Sequence, residues 1–470
     1  MIAALVAALL MAGGRTIVVA PGGPLDLAAA VAAARDGDRI EVHGGSHDGA
    51  LVVERAVALV GIGWPVIDGH GAGTVLTLAS PGSRVSGFVI RGTGDRNDLE
   101  DSGVLAMGSA VVEDNRLEDV LYGINLKRAP DSVVARNTIV GRDVTMARRG
   151  DGIRLWESHR SRVVDNVVRG GRDTVLWYSE NIEVRGNDIA DGRYGLHLMY
   201  TSGSTIAGNQ LERNTVGVYA MYSAGVTVEQ NVVAGSHGSS GYGLAFKDCD
   251  AATVVGNVLA GNRVGLYLDN TPSARGVRDR VAENTFAWND IGVLLLPAVK
   301  GNDFGGNAFV ENGQQVALAA TGTLSGNDWT PGGAGNYWST YAGYDADGDG
   351  LGDLPHEEAS LFDDLMTKRP ELRLFAMGPA QGAIDMAARA FPVFRPAPVL
   401  VDAAPRIAPL PPTVAARASD VRPLVVLAAA LLGSAGLVVA WSLGMDLDLD
   451  LGLGLGRSRR DRAPLRPGAA

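Results

Sequence analysis

Short runs in which apolar and polar residues alternate recur along this chain at a nearly constant interval. The clearest stretch, 151–222, writes one phrase three times: Leu155-Trp156-Glu157-Ser158, Leu176-Trp177-Tyr178-Ser179 and Leu198-Met199-Tyr200-Thr201, with Ala220-Met221-Tyr222-Ser223 as a fourth version. Successive copies are offset by 21, 22 and 22 residues. A fixed period of this length marks one small structural unit repeated many times. The two-residue alternation inside each unit marks strands rather than helices.

From about residue 103 each unit opens with glycine and an aliphatic residue: Gly103-Val104, Gly123-Ile124, Gly152-Ile153, Gly195-Leu196, Gly217-Val218, Gly243-Leu244, Gly265-Leu266 and Gly292-Val293. Each unit then reaches an asparagine: Asn115, Asn137, Asn166, Asn187, Asn209, Asn231, Asn257, Asn284 and Asn307. Roughly 22 residues holding two or three short strands make one coil of a parallel β-helix, with each strand about 4.8 Å from its equivalent on the next coil. Equivalent residues then stand in columns. Inward aliphatic columns form the core, and the asparagines ladder their amides along a turn in a structural role.

Alternation turns Ile153 and Leu155 inward and Arg154 and Trp156 outward. The same parity sends His197 and Met199, Tyr219 and Met221, Lys247, and Tyr267 and Asp269 to the outside. One external strip is therefore expected to carry Trp156, Trp177, Met199, Met221 and Lys247, flanked by Glu157, Tyr178, Tyr200, Tyr222 and Asp248. Solvent selects small polar and charged residues on such a face. A contiguous stripe of Trp, Tyr and Met marks an interaction site, unless the C-terminal segment folds back to cover it.

Upstream, 16–20 reads as a first strand. Residues 25–35 read as a short helix with Asp26 at its N-cap and Gly37 as its stop. Such a helix caps an open strand edge that would otherwise template aggregation. Short strands continue from Arg39 through 85–89. Residues 2–12 are an unbroken apolar run, too short to span a bilayer but of the length of a signal-peptide core.

Beyond Asn327 the period ends. Gly335-Asn336-Tyr337-Trp338 leads into an acidic loop with Asp345, Asp347 and Asp349 at positions 1, 3 and 5, Gly350 at 6, Leu351 at 7 and Asp353 at 9. This matches the first part of a Ca²⁺ loop, in which carboxylates and the position-7 carbonyl supply oxygens. The closing glutamate is replaced by His356, with Glu357 and Glu358 just after it, so an acidic turn without metal is the alternative. Helical spacing follows at 360–368 and 381–390, then a proline-rich, extended stretch at 392–412.

Residues 423–444 carry no charge and are long enough to cross a membrane. Arg457, Arg459, Arg460 and Arg462 lie beyond them and place the C-terminus in the cytoplasm, leaving the solenoid outside. The expected order is a signal peptide at 1–14, β-helix at 15–335, the Gly-Asn-Tyr-Trp motif and acidic loop at 336–358, and a helical and proline-rich tether at 359–420. A transmembrane helix at 421–444 and a basic tail at 445–470 complete it.

Composition supports strands. There are 63 glycines among 470 residues and few aromatics, a mixture suited to many short strands and turns. A net charge of −11 argues against a nucleic-acid partner, which requires clustered positive charge. The single cysteine, Cys249, excludes an internal disulfide framework and a cysteine-based zinc cluster. Soft-metal chemistry would have to use Met and His.

The succession Asp151-Gly152-Ile153-Arg154-Leu155-Trp156, Leu176-Trp177-Tyr178-Ser179, Arg193-Tyr194-Gly195-Leu196-His197-Leu198-Met199-Tyr200, Val218-Tyr219-Ala220-Met221-Tyr222-Ser223 and Gly241-Tyr242-Gly243-Leu244-Ala245-Phe246-Lys247-Asp248 resembles the NosD family of nitrous oxide reductase maturation proteins. Gly265-Leu266-Tyr267-Leu268-Asp269-Asn270 and the Gly-Asn-Tyr-Trp motif extend the likeness over about 16–400. The resemblance implies an all-β, right-handed parallel β-helix in the periplasm. It also implies partners: the ATPase and membrane subunits of an ABC transporter, a copper chaperone lipoprotein and nitrous oxide reductase. A C-terminal membrane span is a departure from the family pattern.

Two functions from different classes fit the strip. In one the protein is a non-enzymatic scaffold, with His197, Met199 and Met221 receiving Cu(I) or docking copper carriers, because thioether and imidazole suit that ion. In the other the β-helix is a uronan lyase or epimerase, with aromatics stacking sugars and Tyr200, Tyr222, His197 or Arg154 moving protons. The strip lacks the acidic cluster that calcium-assisted uronate binding requires, which favours the first.

Overall fold

The computed structural model describes residues 14–319, 324–359, 361–375 and 398–412, with single positions between 380 and 387. Every short alternating run pairs in parallel with the run one coil further on. Three sheets result, of 13, 12 and 13 strands. The first runs from Thr16–Val19 to Asn302–Gly305, the second from Leu51–Val53 to Gln314–Leu318, and the third from Ser46–Asp48 to Tyr337–Trp338. The chain is an all-β parallel β-helix, as its period predicts, and right-handed, as the family resemblance implies.

Register is set by burial. In the second sheet Leu126, Leu155, Leu176, Leu198, Ala220, Phe246, Leu268 and Leu295 pair in succession. None is more than 2 % exposed. A slip by one residue would expose the whole column, forfeiting about 1.5–3 kcal/mol for each large side chain. The repeated Gly-aliphatic pair has a steric cause. A Cβ on Gly217 would come 2.2 Å from Val233 Cγ1 and 2.5 Å from the Gly243 carbonyl oxygen.

The asparagine ladder runs unbroken from Asn115 to Asn336. Each Nδ2 donates to Oδ1 of the next rung at 2.8–3.1 Å. Its last rung lies inside the Gly-Asn-Tyr-Trp motif, so that motif belongs to the final coil. A second ladder stands beside the outer strip. Ser158 N donates to Ser179 Oγ at 3.0 Å, Thr201 N to Ser223 Oγ at 2.9 Å and Cys249 N to Thr271 Oγ1 at 3.2 Å. Cys249 is a buried rung, its thiol pushed up to about 12 by burial, and so inert.

Both ends of the rod are closed. At the N-terminal end the helix Leu27–Ala33 buries Leu27 and Ala30, and the Asp26 carboxylate accepts from Ala29 N at 2.7 Å. At the other end His356–Glu358 pairs antiparallel with Leu400–Asp402. Trp338 stacks between Phe309, at 4.2 Å, and His356, at 4.6 Å.

The helix expected at 360–368 is present as Leu361–Lys368. Within the proline-rich stretch, 398–412 docks on the end of the rod: Arg406 N donates to Asn336 O, Ile407 N to Gly350 O and Gly352 N to Pro405 O. The signal peptide, the membrane span at 421–444, the basic tail and most of the helix expected at 381–390 lie outside the described residues. No helix among the described residues is long and apolar enough to cross a membrane.

Candidate functional site

The outer face of the second sheet carries three parallel columns. Lys127, Trp156, Trp177, Met199, Met221, Lys247 and Asp269 pair in succession on adjacent strands. Two residues earlier on the same strands stand Asn125, Arg154, Val175, His197, Tyr219, Ala245 and Tyr267. At the turn after the sheet come Glu157, Tyr178, Tyr200, Tyr222, Asp248 and Asn270. The expected strip therefore exists as one surface, and Trp156, Trp177, Met199, Met221 and Lys247 are each partly exposed.

The turn column is held in the left-handed backbone region. Glu157, Tyr178, Tyr200, Tyr222, Asp248 and Asn270 have φ between 49° and 53°. Glycine or asparagine adopts this conformation cheaply, whereas a bulky L-residue loses roughly 1–2 kcal/mol. Three consecutive tyrosines bear that strain while remaining half-exposed. They stack on each other, Tyr178 on Tyr200 at 5.1 Å and Tyr200 on Tyr222 at 5.2 Å, and Trp156 lies 4.9 Å from Tyr178. The same left-handed turn recurs elsewhere along the rod, at Arg136, Asp165, Arg213 and Gln230 among others, so the conformation belongs to the coil; what sets this column apart is that aromatic side chains fill it.

His197 points outward by parity but is only 7 % exposed. Trp177 and Tyr194 stand T-shaped to it, with centroids at 5.3 Å and 4.7 Å, and Tyr219 lies tilted at 6.3 Å. Neither ring nitrogen has a hydrogen-bond partner. Burial holds its pKa down to about 4, against the pull of Asp173, so the ring is neutral at pH 7. The same enclosure pushes the Tyr219 phenol up.

A polar node lies beside these rings, and of its charged members parity singled out Arg154 but not Asp151, Arg172, Asp173 or Glu100. Asp151, fully buried, accepts from Arg154 Nη1 at 3.1 Å and Arg172 Nη2 at 3.0 Å. Burial pushes its carboxyl up to about 6 against those guanidiniums. Asp173 accepts from Arg193. Glu100 reaches over from the preceding loop to Lys127 Nζ at 2.6 Å, Asn125 Nδ2 at 3.1 Å and Arg154 Nη2 at 3.3 Å. Arg154 is thereby aimed across both indoles, its guanidinium 5.6 Å from the Trp156 ring and 5.3 Å from the Trp177 ring.

Unmet polar atoms concentrate here: Asn125 Oδ1, Arg154 Nε, Thr174 Oγ1, Trp177 Nε1 and both His197 nitrogens are buried and unpartnered. Such atoms are rare in folded interiors and mark places awaiting a water, ion or ligand. The sequence did carry a trace of the node: charged residues stand just before the strand in three successive coils, at Asp151, Arg172-Asp173 and Arg193.

The acidic loop is elsewhere, at the C-terminal end of the rod. Asp345, Asp347 and Asp349 each offer a carboxylate oxygen within 4.8 Å of the others. Gly348 N and Gly350 N donate to Asp345, whose carboxyl is held below its usual range mainly by the Gly350 amide. Asp353 accepts from Ala346 N at 2.7 Å. His356, at loop position 12, is not a loop ligand but lies in the core against Trp338.

Comparison with known proteins gives this surface a context. The family described as "Periplasmic copper-binding protein (NosD)" matches residues 135–343, the coils that build the strip. The "Probable ABC transporter binding protein NosD" of Pseudomonas aeruginosa is 31% identical over 412 residues, covering 77% of this chain and 86% of that protein. The protein of the same name from Stutzerimonas stutzeri is 28% identical over 411 residues, covering 77% and 85%. Among solved structures, the catalytic unit of an α-1,3-glucanase from Streptomyces thermodiastaticus has TM-score 0.47 at 18% identity, over 68% of this chain and 67% of that one. The mannuronan C-5 epimerase AlgE4 A-module of Azotobacter vinelandii has TM-score 0.43 at 15% identity, over 62% and 90%. On its identity to the Pseudomonas protein across most of both chains, this chain belongs to the NosD family.

Proposed function

We propose that this chain is a non-enzymatic periplasmic scaffold for assembling the copper centre of nitrous oxide reductase. Its strip receives Cu(I) or docks the copper chaperone lipoprotein and the reductase, while the C-terminal region engages the ATPase and membrane subunits of an ABC transporter. Residues 421–444 would anchor it in the inner membrane. The observation that supports this reading is the Trp156–Trp177–Met199–Met221 column, edged by tyrosines kept at a backbone cost. Copper is cargo here. Two thioethers on neighbouring strands and a neutral, unpartnered imidazole form the donor set a soft monovalent ion prefers.

The acidic loop would hold Ca²⁺ through Asp345, Asp347, Asp349, Asp353 and the Leu351 carbonyl. Its role would be structural, fixing the loop that binds the returning 405–407 segment.

The lyase or epimerase reading is weaker on this geometry. Its candidate proton carriers are engaged separately: Tyr200 and Tyr222 stack on each other at the turn, His197 is enclosed by other rings, and Arg154 is tied to Asp151 and Glu100. Cu(I) binding by the purified protein, measured beside uronan depolymerisation, separates the two. Copper uptake without depolymerisation is expected; depolymerisation without copper uptake would reverse the assignment.

A further inference from the structure

We infer that Trp177 completes a soft-metal site as a cap, its indole face lying against a monovalent copper ion held by His197, Met199 and Met221. This rests on the copper-handling reading of the strip and adds to it a residue that contributes no metal–ligand bond.

The argument begins with unmet valence. An imidazole that is nine-tenths buried with neither nitrogen bonded forgoes its hydration for nothing, a loss of about 1–3 kcal/mol for each polar atom left unpaired. The ring against its edge, Trp177, leaves its own Nε1 buried and unpartnered as well. Unpartnered buried atoms also occur elsewhere, at Ser236 Oγ, Asn302 Oδ1 and Trp329 Nε1 among others, but two adjacent side chains with three such atoms between them mark a place built for something else.

Position follows from register. Trp177, Met199 and Met221 are direct neighbours on three consecutive strands, so their backbones step by about 4.8 Å. His197 is two residues from Met199 on the same strand and the same face, about 7 Å along it. The Trp177 and His197 ring centroids are 5.3 Å apart. The two rings are in contact, so an ion bonded to a His197 nitrogen would sit beside that contact and not between the rings, about 6 Å from the indole centroid, at the limit over which an indole attracts a cation. The preceding coil already presents a cation to this ring, the Arg154 guanidinium at 5.3 Å.

Charge selects the ion. An imidazole ligand and two thioethers carry no charge, and the Asp173 carboxylate of the neighbouring node is bonded to Arg193. A divalent ion would go uncompensated in this enclosure, whereas the quadrupole of an indole face suffices for a single soft positive charge. Such a cap excludes water yet has no bond to break when the ion leaves, which suits a protein that passes copper on.

The test is a tryptophan-fluorescence titration of the purified full chain with Ag(I), a redox-inert stand-in for Cu(I), with circular dichroism to verify folding. Quenching is expected in the wild type and in Trp288→Phe, an exposed indole outside the strip. Most of the quench should be lost in Trp177→Phe, with affinity weakened about tenfold, and binding should disappear in Met199→Ala/Met221→Ala. Zn(II) should not quench. A Trp177→Phe protein that binds Ag(I) as tightly as the wild type, with the quench intact, overturns the cap and leaves the copper-handling reading standing. Absence of Ag(I) binding by the wild type also overturns it. The docking role would then be judged separately, by the copper content of reductase matured with the methionine variants.

Discussion

Asp402 accepts the indole N–H of Trp338 at 2.9 Å across 64 positions of sequence, and the same carboxylate oxygen accepts the Asn336 backbone N–H at 2.7 Å. One fully buried side chain from a proline-rich segment thus closes both the last strand and the last rung of the asparagine ladder. Its other oxygen accepts from Thr330 Oγ1 at 3.0 Å. Asp402→Ala would strand two buried donors, the Trp338 indole and the Asn336 backbone N–H, at about 1–3 kcal/mol each if left dry, and a partly exposed third, Thr330 Oγ1. Water entry at this end of the rod should hold the loss to about 3 kcal/mol. The expected result is a lower urea midpoint and protease cleavage within 398–412, read by denaturation and limited proteolysis.

The ladder itself should behave as a chain of nearest-neighbour links. Asn209 Oδ1 accepts both the backbone and side-chain N–H of Asn187 at 2.9 Å, and Asn209 Nδ2 donates to Val184 O and Asn231 Oδ1. Asn209→Ala takes the partner from the buried Asn187 backbone N–H and removes one bond each from Asn187 Nδ2, Val184 O and Asn231 Oδ1, though Asn187 Nδ2 keeps Val163 O and Asn231 Oδ1 keeps the backbone N–H of residue 209; a loss of about 1–3 kcal/mol is expected. Urea unfolding measures it. A loss under about 0.5 kcal/mol would mean the ladder is decoration.

Stability should fall with rising pH through one buried carboxyl. Asp279 accepts from Ala252 N at 2.8 Å with Oδ1, but its Oδ2 is buried and unpartnered, as is Oδ1 of Asn302, its register partner on the next coil. Burial, aided by Asp250, pushes the Asp279 carboxyl from 3.8 up to about 7. Between those values the unfolded chain gives up the proton and the folded chain keeps it. The stabilisation is therefore complete below about 4, declines as pH rises, and is gone above about 7. Asp279→Asn, which keeps an N–H where the acid proton sits, should melt higher than the wild type at pH 8, the gap narrowing toward pH 5. Comparing the two proteins cancels the contributions of Asp151 and His197.

The tyrosine row should separate stability from function. Tyr200→Asn relieves the left-handed strain of a bulky residue, roughly 1–2 kcal/mol, and loses two stacking contacts of about 0.5–1.5 kcal/mol each. The two nearly cancel. Unfolding free energy should stay within about 1 kcal/mol of the wild type while copper delivery to the reductase falls. A variant that loads the reductase normally would assign the row to structure alone.

How much of this was legible in the chain depended on range. The 22-residue step fixed which side chains share a column, so Trp156, Trp177, Met199 and Met221 could be aligned from spacing alone. Parity also turned His197 outward, but its burial depends on the size of rings on its own strand and on the strands to either side, which no local pattern encodes. The node was harder still. Glu100 joins it from a loop, and Asp151 and Asp173 read as ordinary turn residues until the coils stack. Asp402 acts from a proline-rich stretch with no period at all. His356 held the last loop position by counting, yet stacking on Trp338 drew it into the core.

The central claim, that the strip works in copper delivery, is tested most directly by the copper content of nitrous oxide reductase purified from cells whose only copy of this protein is Met199→Ala/Met221→Ala. Both side chains are partly exposed and outside the core, so the variant should fold and accumulate as the wild type does. The expected result is reductase with its copper content and nitrous oxide reduction sharply reduced. Reductase fully loaded with copper beside a normally folded double variant would contradict the claim.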